Sequence, residues 1–303
     1  MSSFRKGILT TIPQDVNCRK IDKEWSLCYN SALMSIHSSA IIGKNVSIGT
    51  DNQIGPHVFI EDDVKIGNHN KILPGVYIAE GTEIGNDNEI HMNAVIGHAP
   101  QDLSYQGAKT KTLIGNKNII REFTTIHRGT KEGTATTLGN ENFLMAYAHV
   151  GHNCTVGNKI IMVNNATLGG YCILEDGAFI SGMVVVHQFC RIGKLAIIGG
   201  LSAINKDTPP YTVSAGRTTV VVGLNVVGLR RAQVPASTRD EIKRAYKLLY
   251  HSGLNTTHAI SEIEKIATTP EVKYFAEFVR QSKRGICPAG SASESRMATA
   301  VED

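Results

Sequence analysis

Four of the eleven histidines, His127, His149, His152 and His187, stand where an imidazole could do chemistry. The run Ala148-His149-Val150-Gly151-His152-Asn153 sets two of them three residues apart. A neutral imidazole can take a proton from a hydroxyl near neutral pH and so turn the oxygen into a nucleophile. Eighteen residues beyond His152 stands Gly170, and eighteen beyond that Gln188. A base beside a glycine N–H suits acyl transfer, because the N–H can hold the negative oxygen that develops on an attacked carbonyl. The plainer alternative is that Gly170 is one more corner glycine. No other nucleophile competes. There is no G-x-S-x-G, and no cysteine sits beside a histidine on an outward position, Cys154 following His152 but facing inward. No G-x-x-x-x-G-K-[ST] or G-x-G-x-x-G opens a helix after a strand, which argues against ATP and dinucleotides.

The spacing of eighteen has structural meaning only if the chain itself repeats at that length. It does. Isoleucine recurs every six residues from Ile36 to Ile96, returns at Ile114, Ile120 and Ile126, and the register resumes from Leu138 through Ile204. Between 36 and 204 only Asp102, Ala108 and Glu132 break the series of large aliphatics. A period of six fits neither a helix nor an alternating strand; it is the mark of a hexapeptide parallel β-helix, each hexad forming one flat side of a coil. Counting each isoleucine as the first position, the first and fifth positions face inward. His152 is third in its hexad, His149 sixth, and His127 and His187 second, so all four are expected on the outer walls. Three hexads per coil place His152, Gly170 and Gln188 in one column, with neighbouring coils about 4.8 Å apart. Cys154, Cys172 and Cys190 fall at the inward fifth position, a slot filled elsewhere by residues such as Val46, Ala94 and Thr124. They read as core thiols of a reducing compartment. With no fourth ligand at hand, neither a metal nor a cofactor is expected.

Residues 1–35 precede the repeat as an extension expected to be poorly ordered at its start. The β-helix occupies 36–210 and ends at Pro209-Pro210, which stop strand pairing. Two stretches, 98–112 and 128–137, lose the hexads and must loop out of a coil wall, where binding groups are commonly carried. A Gly/Val-rich connector and a helical domain fill 211–285. The first helix is capped by Ser237 and runs to about Gly253; others fall near 257–267 and 270–284. The small polar tail 286–303 is expected to be disordered. The net charge of +4, without a basic run interleaved with aromatics, argues against nucleic acid. No apolar stretch approaches the ~18 residues of a membrane span, and none near the N-terminus has the pattern of a secretory signal.

Several segments together carry a specific resemblance: Gln101-Asp102-Leu103, Thr125-Ile126-His127-Arg128-Gly129-Thr130, Ala148 to Asn158, Asn164-Asn165-Ala166-Thr167-Leu168, Val186-His187-Gln188-Phe189 and Pro209-Pro210-Tyr211. In this order, from about residue 34 to 285, the chain resembles the UDP-N-acetylglucosamine O-acyltransferases of lipid A synthesis. The resemblance implies an all-β left-handed parallel β-helix followed by a small α-helical C-terminal domain, assembled as a homotrimer with active sites in the clefts between subunits. Neither the hand nor the trimer follows from the periodicity. It implies transfer of a 3-hydroxyacyl chain from acyl carrier protein to the 3-hydroxyl of UDP-N-acetylglucosamine. His152 would be the general base and Gly170 the oxyanion donor, with Asn153 beside the base. Asp102, His149 and Gln188 would contact the sugar or acyl chain and His127 would lie near the cleft. Gly200 would close the acyl groove, and Asn225 and Arg231 would touch the nucleotide.

The departures bear on efficiency and chain choice. Asn153 stands where the family usually has Asp, and Tyr171 replaces a His that contacts substrate. Ser104, Thr218 and Val227 replace a Lys, a His and a Glu. Two other readings stay open: a γ-class carbonic-anhydrase-like zinc enzyme using His127, His149 and His152, and a non-catalytic β-helix scaffold. The basic extension points to the mitochondrion, with the cytoplasm as the alternative; the acids Asp15, Asp22 and Glu24 argue against all of it being transit peptide.

Overall fold

The computed structural model describes residues 35–290; the expected N-terminal extension, with Cys18 and Cys28, lies outside them apart from Ser35. The hexads wind into a left-handed parallel β-helix with three walls. The first wall begins with Ser35–Ile36, the second with Ile41–Ile42 and the third with Ser47–Ile48. Most strands are two residues long, and each pairs in parallel with the strand one coil on: Ser35 faces Gln53, and Ile36 faces Ile54. Parallel strands ordinarily need a long crossover; here each crossover is simply the other two walls of the coil.

The first hexad position fills the lumen with a stack of large aliphatics. Ile60, Ile78, Ile96, Ile126, Val150 and Leu168 are fully buried, as are the small residues at the fifth position, among them Val58, Ala94 and Ala166. Cys154, Cys172 and Cys190 are buried free thiols in that slot, as the spacing requires. The fourth position turns each corner in the left-handed backbone region. Asn45, Asp63, Asn93 and Asn153 sit there with φ between 56° and 59°, joined by Tyr171 at 59° and Phe189 at 66°. Asn and Asp tolerate that region better than most residues, which accounts for their recurrence at the corners.

The corners leave peptide groups that no strand pairs. At the corner between the third and first walls, the inward Asn52, Asn70, Asn88, Asn118 and Asn142 each donate an amide N–H to a glycine carbonyl of the next coil. Outside the same corner, backbone N–H groups are capped by side-chain oxygens one coil on, as Asn140 N is by Asn158 and Asn158 N by Asp176. Buried peptide groups are thus satisfied from within and without.

Two excursions interrupt the winding, 99–110 between strands Val95–His98 and Lys111–Ile114, and 128–134 between Thr125–His127 and Ala135–Leu138. Both leave at the corner between the second and third walls, the corner that carries His152 two coils after the first excursion and one after the second. They lengthen the sequence interval between paired strands from eighteen to thirty (Glu89 with Ile119) and then twenty-four (Ile119 with Phe143) without disturbing the stack.

The segment after the prolines is more than a connector. Thr212–Ala215 pairs in parallel with Ile197–Ile198, and Val220–Leu224 folds back on it antiparallel, so a hairpin extends the first wall. Helix α1 (Val226–Arg231) follows, then α2 (Ala236–His251), α3 (Thr256–Ile266) and α4 (Pro270–Arg280). Helix α2 starts after Pro235 with no side-chain cap, which places Ser237 inside the first turn rather than at the cap. Ile242, Leu249, Ile263, Phe275 and Val279 bury the inner faces of the helices around Tyr211. The tail expected to be disordered from 286 is instead ordered through Gly290, the last described residue. Ile286 pairs with Asp207, Ala289 pairs with Val221, and Cys287 is buried. Residues 291–303 lie outside the described region.

Candidate active site

His152 and Gly170 stack at one corner as the interval of eighteen requires. The Tyr171 N–H donates to the His152 carbonyl at 2.9 Å and the Phe189 N–H to the Gly170 carbonyl at 3.0 Å, tying the three coils in register. A Cβ added at Gly170 would overlap the His152 ring, so the imidazole lies directly against the glycine. The Gly170 N–H has no acceptor among the described residues.

The two excursions deliver the other partners. Asn153 is turned back by its left-handed backbone (φ 59°) so that its amide oxygen lies 3.1 Å from His152 Nδ1. Thr130, from the second excursion, donates twice to that same oxygen, through its backbone N–H at 3.0 Å and its hydroxyl at 2.9 Å. A backbone N–H can only donate and an amide oxygen can only accept. The His152 Nδ1 must therefore carry the ring proton, leaving Nε2 as the basic nitrogen. Nε2 faces Asp102 of the first excursion, 3.7 Å from Oδ2. The Ser104 backbone N–H, and then its hydroxyl, hold the Asp102 carboxyl below the usual range, at 2.9 and 2.8 Å from Oδ1. Serine at this position anchors the carboxylate beside the base. Tyr171 packs edge-on against the imidazole with ring centres 5.3 Å apart, and its hydroxyl meets the Thr130 hydroxyl at 3.0 Å.

A carboxylate in place of the Asn153 amide would favour the imidazolium formed when the base takes its proton. In Asn153→Asp, the acid limb of the pH–rate profile moves to higher pH and its plateau rises. A superimposable profile would show that this neighbour does not act on the base.

His149 lies on the second wall half-buried, its Nδ1 2.7 Å from the Thr125 hydroxyl. Burial, with the His152 charge adding to it, lowers its pKa. His127 corrects an expectation: it is buried, not exposed. The hexad register ends at this residue. The strand continues past a register shift, where His98 pairs with His127, and the His149 ring stacks edge-on with centres 4.9 Å apart. Burial first, then the charges of His149, His98 and His152, depress its pKa from 6.5 to about 4. Between those values the unfolded chain binds a proton that the folded chain refuses, so stability falls as pH drops through that window. His127→Gln should flatten the decline in Tm between pH 6.5 and pH 4; equal slopes in the two proteins would contradict it.

His187 and Gln188 are exposed, Gln188 one coil beyond Gly170. The remaining predicted residues form a second group at a different corner. Gly200, Val227 and Arg231 line a groove of about 880 Å³ against the first wall, and a Cβ added at Gly200 would make only ordinary contact, its nearest atom 3.5 Å away. Asn225 borders the groove but is buried and already engaged, capping α1 through the Gly228 N–H and donating to the Leu195 carbonyl. Thr218 sits in the hairpin turn. One chain does not bring this group to His152. Sequence reasoning did not assign Thr130 a role, although its excursion leaves the coil at the His152 corner. Among the described residues, no three His, Cys, Asp or Glu side chains converge as metal ligands.

Comparison with known proteins places most of the chain in one family. The model of "Udp N-acetylglucosamine O-acyltransferase; Domain 2" matches residues 207–287, and that of the six-repeat bacterial transferase hexapeptide matches residues 63–98. The acyl-[acyl-carrier-protein]–UDP-N-acetylglucosamine O-acyltransferase of Paraburkholderia phymatum is 44% identical over 257 residues, 83% of this chain and 98% of that one. The protein of the same name from Gloeothece citriformis is 43% identical over 193 residues, 64% of this chain and 70% of that one. The solved structure of Francisella novicida UDP-N-acetylglucosamine acyltransferase superposes with a TM-score of 0.82 at 36% identity, covering 89% of this chain and all of that one. These matches favour the acyltransferase reading over the zinc-enzyme and scaffold alternatives. The chain belongs to the UDP-N-acetylglucosamine O-acyltransferase family.

Proposed function

We propose that the protein transfers a 3-hydroxyacyl chain from acyl carrier protein to the 3-hydroxyl of UDP-N-acetylglucosamine, the entry reaction of lipid A synthesis. The observation that carries the mechanism is a histidine with its Nε2 free for a proton, packed against a glycine whose N–H has no partner among the described residues. His152 Nε2 takes the proton of the sugar 3-hydroxyl. The oxygen attacks the thioester carbonyl, and the Gly170 N–H holds the oxyanion. The tetrahedral intermediate collapses, expelling the carrier thiolate, which receives the proton from the imidazolium. Asp102 orients the sugar beside Nε2 and stabilises the imidazolium while it lasts. Tyr171, His149 and Gln188 line the approach on the same corner and wall, and His127 supports His149 from behind.

The active assembly is a homotrimer, and the groove bounded by Gly200 and Arg231 of one subunit completes the site of its neighbour. Two observations support this. The groove and the base sit on different corners of one chain. An apolar ridge also runs down the corner between the first and second walls, where Phe123, Tyr147, Met183 and Leu201 are 43–67% exposed. A ridge of that size marks a surface that another copy covers. For the carrier protein, the exposed Lys243, Arg244 and Lys247 of α2 offer a basic surface to an acidic partner. The basic segment ahead of the first hexad reads as a mitochondrial address, the cytoplasm being the alternative.

Sedimentation should give a mass near three chains of 32.8 kDa, and specific activity should fall on dilution with the trimer fraction. A fully active monomer would overturn the shared site. Incubation with UDP-N-acetylglucosamine and a ladder of 3-hydroxyacyl carrier proteins should consume thioester only when the sugar nucleotide is present. Thioester loss independent of the sugar would mark a hydrolase.

A further inference from the structure

The Gly170 N–H belongs to the peptide unit whose carbonyl is that of Gly169, and among the described residues this carbonyl has no backbone donor. Its partner is the thiol of Cys154, whose Sγ lies 3.1 Å from the oxygen. Cys154 is fully buried in the lumen. The carbonyl therefore points into the coil. In a trans peptide the C=O and N–H point in opposite directions, so the Gly170 N–H points out of the coil, on the side where the His152 ring lies.

The corner between the third and first walls shows the same device fully paired. There the Asn142 amide holds the Gly157 carbonyl from inside, at 2.9 Å, while the outward Asn158 N–H is capped by Asp176. At the His152 corner the inner donor is a thiol rather than an amide. The third position carries His, Gly and Gln in place of Asn and Asp, so no side chain caps the N–H that the inner donor turns outward. The arrangement leaves one aimed, unpaired N–H beside the base.

We propose that Cys154 is a positioning residue for acyl transfer: from inside the coil its thiol holds the 169–170 peptide so that the Gly170 N–H meets the developing oxyanion. This rests on the acyl-transfer reading of the site. A hydrogen bond to the carbonyl also polarises the peptide and strengthens its N–H as a donor. The role differs from that of an inert core thiol, which would matter only through the volume it fills.

Three substitutions separate donor from volume. Cys154→Ser keeps a donor and loses size, Cys154→Val keeps size and loses the donor, and Cys154→Ala loses both. Steady-state transfer and thermal unfolding are measured for each, with Cys190→Ala, two coils away, as a packing control. Loss of the whole oxyanion donor costs about 10²–10³ in kcat; loosening its peptide should cost about 5-fold to 10-fold. The expected result is that Ala and Val lose that much kcat while Ser stays within about 2-fold of the parent. The KM for the sugar nucleotide should hold, and the pH–rate profile should drop in height without moving. Tm should instead follow volume, with Val above Ala. Activity that follows Tm, or a profile that shifts along the pH axis, would overturn the proposal, as would three variants with parental kcat. His152→Ala is assayed alongside. If it retains transfer, the acyl-transfer site itself is misassigned. If it is dead while the Cys154 variants are unaffected, only the role of the thiol falls.

Discussion

Replacing His152 by alanine should lower kcat for acyl transfer by about 10²–10⁴, the usual cost of losing a general base. The effect should be chemical rather than structural. The side chain is outside the lumen, its hydrogen bond is to an amide held independently by Thr130, and its backbone carbonyl bond to the Tyr171 N–H survives the substitution. The Tm and the sedimentation coefficient should therefore stay close to those of the parent. The KM for UDP-N-acetylglucosamine should change less than kcat, because the proton transfer belongs to the transition state and the sugar keeps Asp102. A variant with near-parental turnover would remove His152 from the mechanism. A variant that loses activity together with its trimer would leave the base unassigned.

Gly170→Ala should be nearly as damaging, about 10²–10³ in kcat, and for a steric reason that can be read from the backbone. The new methyl would overlap the imidazole. Either the ring leaves the line between Asn153 and Asp102, or the 169–170 peptide shifts and takes its N–H off the oxyanion. Both routes end in lost transition-state stabilisation. Gly223→Ala is the matching control, because an added Cβ there meets nothing within 4 Å. The control should keep parental activity. Equal activity in Gly170→Ala would show that the corner tolerates a side chain and that its N–H is not used.

The sequence was most informative where its period was unbroken. A first-position aliphatic every six residues dictates which side chains enter the lumen. The same count of three hexads per coil sets His152 beneath Gly170. The interior slot of Cys154, Cys172 and Cys190 followed from the same rule. What the period could not supply lies where the hexads stop. Asp102 and Thr130 reach His152 on excursions whose backbones obey no repeat, so only their shared point of departure could have suggested a meeting at that corner. His127 was placed on the outside because it is second in its hexad, but it is the last residue before the register is lost, and the extended strand buries it. The hairpin of Thr212–Ala215 and Val220–Leu224 was hidden by its glycines and by the prolines before it. The six-residue helix α1 is too short to show an amphipathic period. The hand of the coil lay outside what periodicity can state, since six-residue sides close equally well in either sense.

At Asn153 the His152 ring is oriented by neutral groups alone. Where a carboxylate would orient the base by charge, here the amide oxygen does so by geometry. Thr130 holds that oxygen from two directions, and Tyr171 braces Thr130 in turn. The ring tautomer is secured without a charge, and on the proposed mechanism Asp102, 3.7 Å from the other nitrogen, steadies the imidazolium.

On the proposed function, this corner moves an acyl chain from a carrier thioester to the sugar 3-hydroxyl. The most direct test is identification by NMR of the product from UDP-N-acetylglucosamine and 3-hydroxyacyl carrier protein, with the parent and His152→Ala side by side. The account predicts an ester on the 3-oxygen of the glucosamine with the parent protein and none above background with the variant. An ester at another position, free 3-hydroxy acid in place of ester, or equal product from both proteins would contradict it.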